Sequence, residues 1–290
     1  MHCLQKLSAL SQLSLICLLA ACGNDARVAP VAAPAGLQAQ YSSAVADARV
    51  ASPDEISAKL TPIRDDNPAL VWENGVVGSR LLVVTWLGDA GINYKCTDPG
   101  GCTGNSSCKE GGNCPSYGFD SWVTVAPELK NFFGLTPPVP LRVAQLLGLP
   151  PKAASEGGAG QYKYLLELWV SPKDLFRPCP DTEISDTTCG TGFPTDMFRT
   201  PDLSDKVRVS AGPDYGVFKT YSSWFNNRAR YSYTMDSDPY PWTRLGYTYD
   251  WGSANHTGLS EFVVHGRKQD GSKIFVGIKS VSTTADYFAR

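Results

Sequence analysis

The chain has almost no net charge and none of the short motifs that mark the commonest chemistries. Of its 290 residues 26 are Lys or Arg and 28 are Asp or Glu, a formal net charge of -2. A chain this near neutrality carries no basic field, so nucleic acid is not expected as a partner. It has no G-x-S-x-G elbow, the signature of a serine hydrolase. It has no H-E-x-x-H for a zinc protease and no glycine-rich nucleotide loop. It has no internal repeat, which sets aside solenoids and propellers. Its apolar run near the N-terminus, Leu13 to Ala21, is too short to span a bilayer as a mature helix. What remains is a globular composition, 42% hydrophobic and 19% charged, in a chain long enough for one large or two small domains. With 27 glycines, 21 prolines and 11% aromatics, it reads as turn-rich and strand-containing.

The N-terminus reads as a targeting signal. Lys6 precedes the apolar run, which ends in Leu19-Ala20-Ala21-Cys22. This resembles the lipobox of bacterial lipoproteins: a leucine, two small residues and the cysteine that receives the lipid. The resemblance implies cleavage before Cys22 and lipidation of Cys22. Gly23 follows rather than Asp, so the resemblance further implies an outer-membrane rather than an inner-membrane anchor. Residues 1–21 are then a signal peptide and residues 22–50 an Ala/Pro-rich tether that holds the domain off the membrane. A single domain is expected over 51–290.

Six cysteines follow: Cys96, Cys102, Cys108, Cys114, Cys179 and Cys189. An even number in an exported chain reads as a disulfide framework. The first four recur with five residues between neighbours, among glycines and without apolar residues to build a core. Cross-links must order such a segment, each contributing about 2–3 kcal/mol by loop closure. Zinc sites space their cysteines more tightly, so no metal and no other cofactor is expected. Given a separate Cys179–Cys189 bridge, three pairings of the other four stay open. The acidic loop between Cys179 and Cys189 lacks the EF-hand glycine and terminal glutamate, and reads as a solvated disulfide loop rather than a calcium site.

The elements expected in order are a capped helix from Pro53 to about Leu60 and a buried strand Leu81–Trp86. A strand at Ser121–Val125 and short helices at Pro127–Phe133 and Leu141–Leu147 follow. Tyr162–Val170, apolar on both faces at its centre, reads as a central strand. An amphipathic helix is expected over Tyr221–Arg230, its cations in the last turn. Glu261–His265 and Lys273–Val281 read as two arms of a hairpin with Asp270-Gly271 in the turn. The fold class is α+β, mainly an antiparallel sheet with a few short helices and disulfide-stapled loops.

Chemistry concentrates in Tyr240 to Val264. Arg244 can fork onto a carboxylate or phosphate, Asp250 and Glu261 can divide acid and base roles, and His256 can shuttle protons. Trp242, Tyr247, Tyr249 and Trp251 can present aromatic faces to a glycan or a peptide. Each also has a plainer role: Arg244 paired with Asp250 or Glu261, the alternating aromatics buried by a strand, His256 in an exposed turn. Segments such as ELWVSPKDLFRPCPD and YPWTRLGYTYDWG are similar to a group of exported bacterial proteins of unassigned activity, which implies export and no site residues. The expected function is therefore an outer-membrane-anchored binding module, facing the periplasm or the cell surface, for a protein or glycan ligand. A cell-envelope hydrolase or transferase built on Arg244, Asp250, His256 and Glu261 is the alternative, and a purely structural envelope protein the third.

Overall fold

A computed structural model describes residues 35–96, 108–115, 120–134, 136–158, 160–192, 207–208, 218–219, 221–234, 239–266, 268 and 272–289. These lie in one compact unit covering 32–290. Residues 1–34, with Cys22, and Cys102 lie outside the described residues.

The backbone of the fold is a seven-stranded sheet. Its strands are β1 (Leu81–Leu87), β2 (Asn113–Pro115), β3 (Ser121–Val125), β4 (Tyr164–Val170), β5 (Leu175–Phe176), β10 (Phe262–Val264) and β11 (Phe275–Thr283). They run in the order β2-β11-β4-β1-β3-β10-β5 with every neighbour antiparallel. Short ribbons β6–β7 (Val207–Arg208, Phe218–Lys219) and β8–β9 (Tyr247–Tyr249, Thr257–Ser260) complete the strands. β1 and β4 pair over their full length, from Leu81↔Val170 to Leu87↔Tyr164. Both are apolar on both faces, as interior strands must be. Leu81, Val83, Leu166 and Leu168 feed one core, and Leu82, Val84, Trp86 and Leu165 feed the other.

Among the described residues there are five α-helices: α1 (Ala35–Asp47), α2 (Ala126–Phe133), α3 (Pro140–Leu146), α4 (Tyr221–Ser232) and α5 (Thr284–Phe288). α2 and α3 carry a proline in the first turn, Pro127 and Pro140, where its fixed φ suits the helix. Gly134 ends α2 at φ 60°, the backbone state glycine adopts without cost. Helices α2, α3 and α5 pack on the face of Trp86 and Leu165. α1 and α4 form a neighbouring aromatic cluster with Trp242, Tyr249 and Trp251.

Three expectations need correction. The tether does not extend to residue 50: Tyr41, Ala44, Val45 and Ala48 are buried, the i, i+3, i+4, i+7 stripe of a packed helix. Alanine, read as spacer, is also the strongest helix former. The helix expected from Pro53 to Leu60 is only a 3-10 turn, Pro53–Glu55, although its Ser52–Glu55 capping box forms. The hairpin also does not form. β10 pairs with β3 and β5, while β11 pairs with β4 and β2, so long-range register outcompetes the local turn signal; Asp270 and Gly271 lie outside the described residues.

Two bridges are seen whole. Cys108 pairs with Cys114, one of the pairings left open, and Cys179 pairs with Cys189. Cys96 is also disulfide-bonded. The Cys179–Cys189 loop wraps a fully buried arginine. Arg177 donates to the carbonyls of Glu183, Ile184 and Asp186. The loop's acidic side chains turn inward on their own backbone: Asp181 Oδ1 accepts from the Glu183 amide and Glu183 from the Ser185 and Asp186 amides.

Candidate functional site

The four polar candidates of the 240–264 stretch are not brought together. Arg244, held at φ 60°, donates to the Arg49 carbonyl at 2.7 Å and lies over the Tyr233 ring. Asp250 is fully buried and takes a bidentate fork from Arg142 at 2.8 and 2.6 Å. His256 Nδ1 meets the Tyr249 hydroxyl at 2.6 Å, and that hydroxyl donates to Asp47 Oδ2. These three residues pin α1 and α3 to the β8–β9 ribbon.

The aromatic side chains expected as a surface are interior. Trp242 is 0% exposed, Trp251 7%, and Tyr247 and Tyr249 are equally buried. Each polar tip finds a partner. Trp242 Nε1 donates to the Pro178 carbonyl, Trp251 Nε1 to that of Leu149 and the Tyr247 hydroxyl to that of Glu55. A large amphipathic ring with its tip satisfied is a core residue.

Glu261 is different. It sits between β9 and β10, 2% exposed, and lines a cavity of about 660 Å³, within the size range of small-molecule sites. The cavity exists because β1 and β3 separate. Their ladder holds two pairs, Val83↔Val125 and Val84↔Thr124. If it ran on, Trp86 would face Trp122. Instead Trp86 is drawn to Tyr162 and donates to Thr284 Oγ1, while Trp122 stacks on Trp224 and meets Trp242 edge-on. Two indoles committed to different clusters hold the strands apart. Thr85, Trp86 and Leu87 of β1 and Ser121, Trp122 and Val123 of β3 all line the space. Consecutive strand residues point to opposite faces, and lining residues of both parities on both strands fit a cavity that opens where the two strands part.

Asp120, Trp122 and Glu261 share a face, because Trp122 pairs with Val263 and alternate residues align. Asp120 precedes β3 and Glu261 precedes β10, on either side of the indole. Arg228 and Ser232 of α4 and Tyr240 close this end. Tyr240 donates to Glu261 Oε1 at 2.9 Å. Glu261 Oε2 has no partner among the described residues, nor has Asp120 Oδ1; Asp120 Oδ2 accepts from Trp224 Nε1 at 2.9 Å. Burial pushes the Glu261 carboxyl up to about 8, against the pull of Tyr240 and Arg228. Burial likewise lifts Asp120 to about 6, against Trp224, Arg228 and the Gly266 amide. Burial lowers Arg228, opposed by the fields of Asp120 and Glu261. Its guanidinium lies 5.5 Å over Trp122, and no ion pair to it is found among the described residues. The end of the cavity therefore holds one acid that is mostly protonated at neutral pH, one that is mostly ionised, and a cation between their fields.

Of this group the sequence reading found only Glu261. Asp120, Trp122, Arg228 and Tyr240 escaped it. One signal was available: each carboxylate immediately precedes an apolar strand, in phase with a buried or half-buried side chain two residues on (Asp120 with the half-buried Trp122, Glu261 with the buried Val263). A charge in phase with the buried face is the anomaly worth marking. No protein-family model, no curated protein and no solved structure matches the chain.

Proposed function

We propose that the chain is an exported lipoprotein, anchored through lipidated Cys22 in the outer membrane, and that its domain binds a small molecule in the cleft between β1 and β3. The observation that carries the binding reading is the cleft itself: an unzipped stretch inside an otherwise paired sheet, apolar for most of its wall, with three ionisable groups, Asp120, Arg228 and Glu261, gathered on one face. An unpaired interior gap costs backbone hydrogen bonds and packing, and pockets of this make-up are where small ligands are held. The anchor rests on the Leu19-Ala20-Ala21-Cys22 box and is supported by the disulfides, which belong to an oxidising compartment.

The test of binding is titration with an uncharged apolar dye, N-phenyl-1-naphthylamine. Saturable one-to-one binding is expected for the native chain, and its loss in Thr85→Trp, where a large ring fills the gap. Equal binding by both proteins sinks the reading. The anchor predicts that the exported protein incorporates radiolabelled palmitate and that Cys22→Ser does not; label taken up by the variant, or none by the native protein, refutes it.

A second reading, a hydrolase or transferase, is favoured by one observation: two carboxyl groups in one cavity with affinities for protons pushed apart, the arrangement acid–base pairs use. On that reading Asp120 replaces Arg244, Asp250 and His256 as the partner of Glu261, and Glu261→Gln abolishes turnover while the fold persists.

A further inference from the structure

The cavity has two unlike ends. Side chains of β3 and β10 alternate across the sheet, so lining residues sort by parity. On the face of Trp122 lie Asp120, Arg228 and Glu261, together with the apolar Leu129, Leu147 and Leu149. On the opposite face lie Val123, Leu166, Leu168, Val264, Val276 and Ile278, all members of the first core. Every charged residue of the lining is on the first face. The gap between Thr85–Leu87 and Ser121–Val123 joins the two.

Resting on the binding reading above, we propose that the ligand is an amphiphile with an uncharged, hydroxylated head and an alkyl part. The head lies among Asp120, Arg228, Tyr240 and Glu261, and the alkyl part passes between β1 and β3 into the aliphatic end. The head chemistry follows from the donors and acceptors on offer. Two carboxyl atoms, Asp120 Oδ1 and Glu261 Oε2, have no hydrogen-bond partner among the described residues, although the Gly266 amide acts on the Asp120 carboxylate, and a buried carboxyl atom left unpaired is costly whether it donates or accepts. Arg228 supplies N–H donors and accepts nothing. Hydroxyl groups do both, giving a proton to a carboxylate and taking one from a guanidinium. A charged head fits less well, since groups of both signs share this end and one would always be opposed. The half-buried Trp122 indole adds an apolar face, which suits the C–H face of a sugar ring. The tail chemistry follows from the aliphatic side chains of Leu166, Leu168, Val276 and Ile278, which act through dispersion and exclusion of water.

The probes are glucose and its butyl, hexyl and octyl β-glycosides, each below its micelle-forming concentration. They are titrated calorimetrically into residues 23–290, which carry neither the signal peptide nor the lipid and include the whole compact unit. Affinity is expected to rise about fourfold for each added methylene, with glucose itself near the detection limit. Asp120→Ala and Glu261→Ala should each weaken octyl glucoside at least tenfold while the dependence of affinity on chain length stays unchanged. That unchanged slope shows that the variants keep the aliphatic end. If the dye binds but affinity is flat with chain length, or the two variants bind octyl glucoside normally, the amphiphile is overturned and the cavity stands. If octanoate binds more tightly than octyl glucoside, the uncharged head is overturned. If neither dye nor glycosides bind, the binding reading falls with it.

Discussion

Replacing Glu261 by Gln should make the protein more stable, and the gain should grow with pH. The carboxyl is buried, its Oε1 takes one hydrogen bond from Tyr240, and Oε2 takes none among the described residues. Burial raises its proton affinity from an ordinary 4.5 to about 8. Between those values the folded state keeps the proton and the unfolded state has lost it. The unfolded state binds fewer protons, so stability falls as pH rises, by about 1.4 kcal/mol per pH unit. The full loss approaches about 5 kcal/mol above pH 8, an upper figure because water can relax around the charge. Gln keeps the shape and cannot ionise. Urea denaturation of both proteins from pH 5 to pH 9 measures the difference. The two should be nearly equal at pH 5 and diverge steadily, the variant ahead by several kcal/mol at pH 9. His265 complicates either curve alone. Burial against Phe176 lowers it to about 4, so between 4 and 6.5 the unfolded state binds the extra proton and stability rises with pH. That contribution is common to both proteins and cancels in the difference. Parallel stability–pH curves would refute the burial of an ionisable Glu261.

Other substitutions test the scaffold. Arg177→Leu strips the Cys179–Cys189 loop of the fork that holds its carbonyls; a loss of about 3 kcal/mol is expected, with faster proteolysis between 179 and 189, and unchanged cleavage would contradict it. Cys179→Ser with Cys189→Ser should cost about 3 kcal/mol by loop closure, read as a lower urea midpoint. Asp250→Ala leaves Arg142 without its bidentate partner and should cost about 3 kcal/mol. Gly258→Ala should prevent soluble expression, because a Cβ there overlaps Thr248 and the Leu146 carbonyl; a folded, native-like variant would show that β9 can shift.

Much of the scaffold was legible because it is written in local patterns. Ser121–Val125 alternates and forms β3, Leu81–Trp86 is apolar throughout and forms most of β1, and Tyr162–Val170 is apolar through its centre and holds β4 between β11 and β1. Gly134 marks the end of α2 at the position expected. Pairing was less legible. β10 and β11 are close in sequence, yet each finds its partners elsewhere, and nothing local to either states the register. The site was least legible. Arg228 read as a cation complementing the end of its own helix, because its neighbours Asp120 and Glu261 come from 108 residues before it and 33 after it. Trp242 and Trp251 read as candidates for a binding face because an aromatic cluster looks the same in sequence whether folded inward or outward. Only the buried partners of their indole nitrogens decide it.

The central claim is that the gap between β1 and β3 is where a ligand sits. It is tested most directly by a crystal structure of the domain soaked with an ω-bromohexyl glucoside, reading the anomalous signal of the bromine. The account predicts one bromine peak beside Leu168, Val276 and Ile278, with the sugar in density between Asp120 and Glu261. A bromine elsewhere on the surface, or β1 and β3 paired through Leu87 and Ser121 with no space between them, would contradict it.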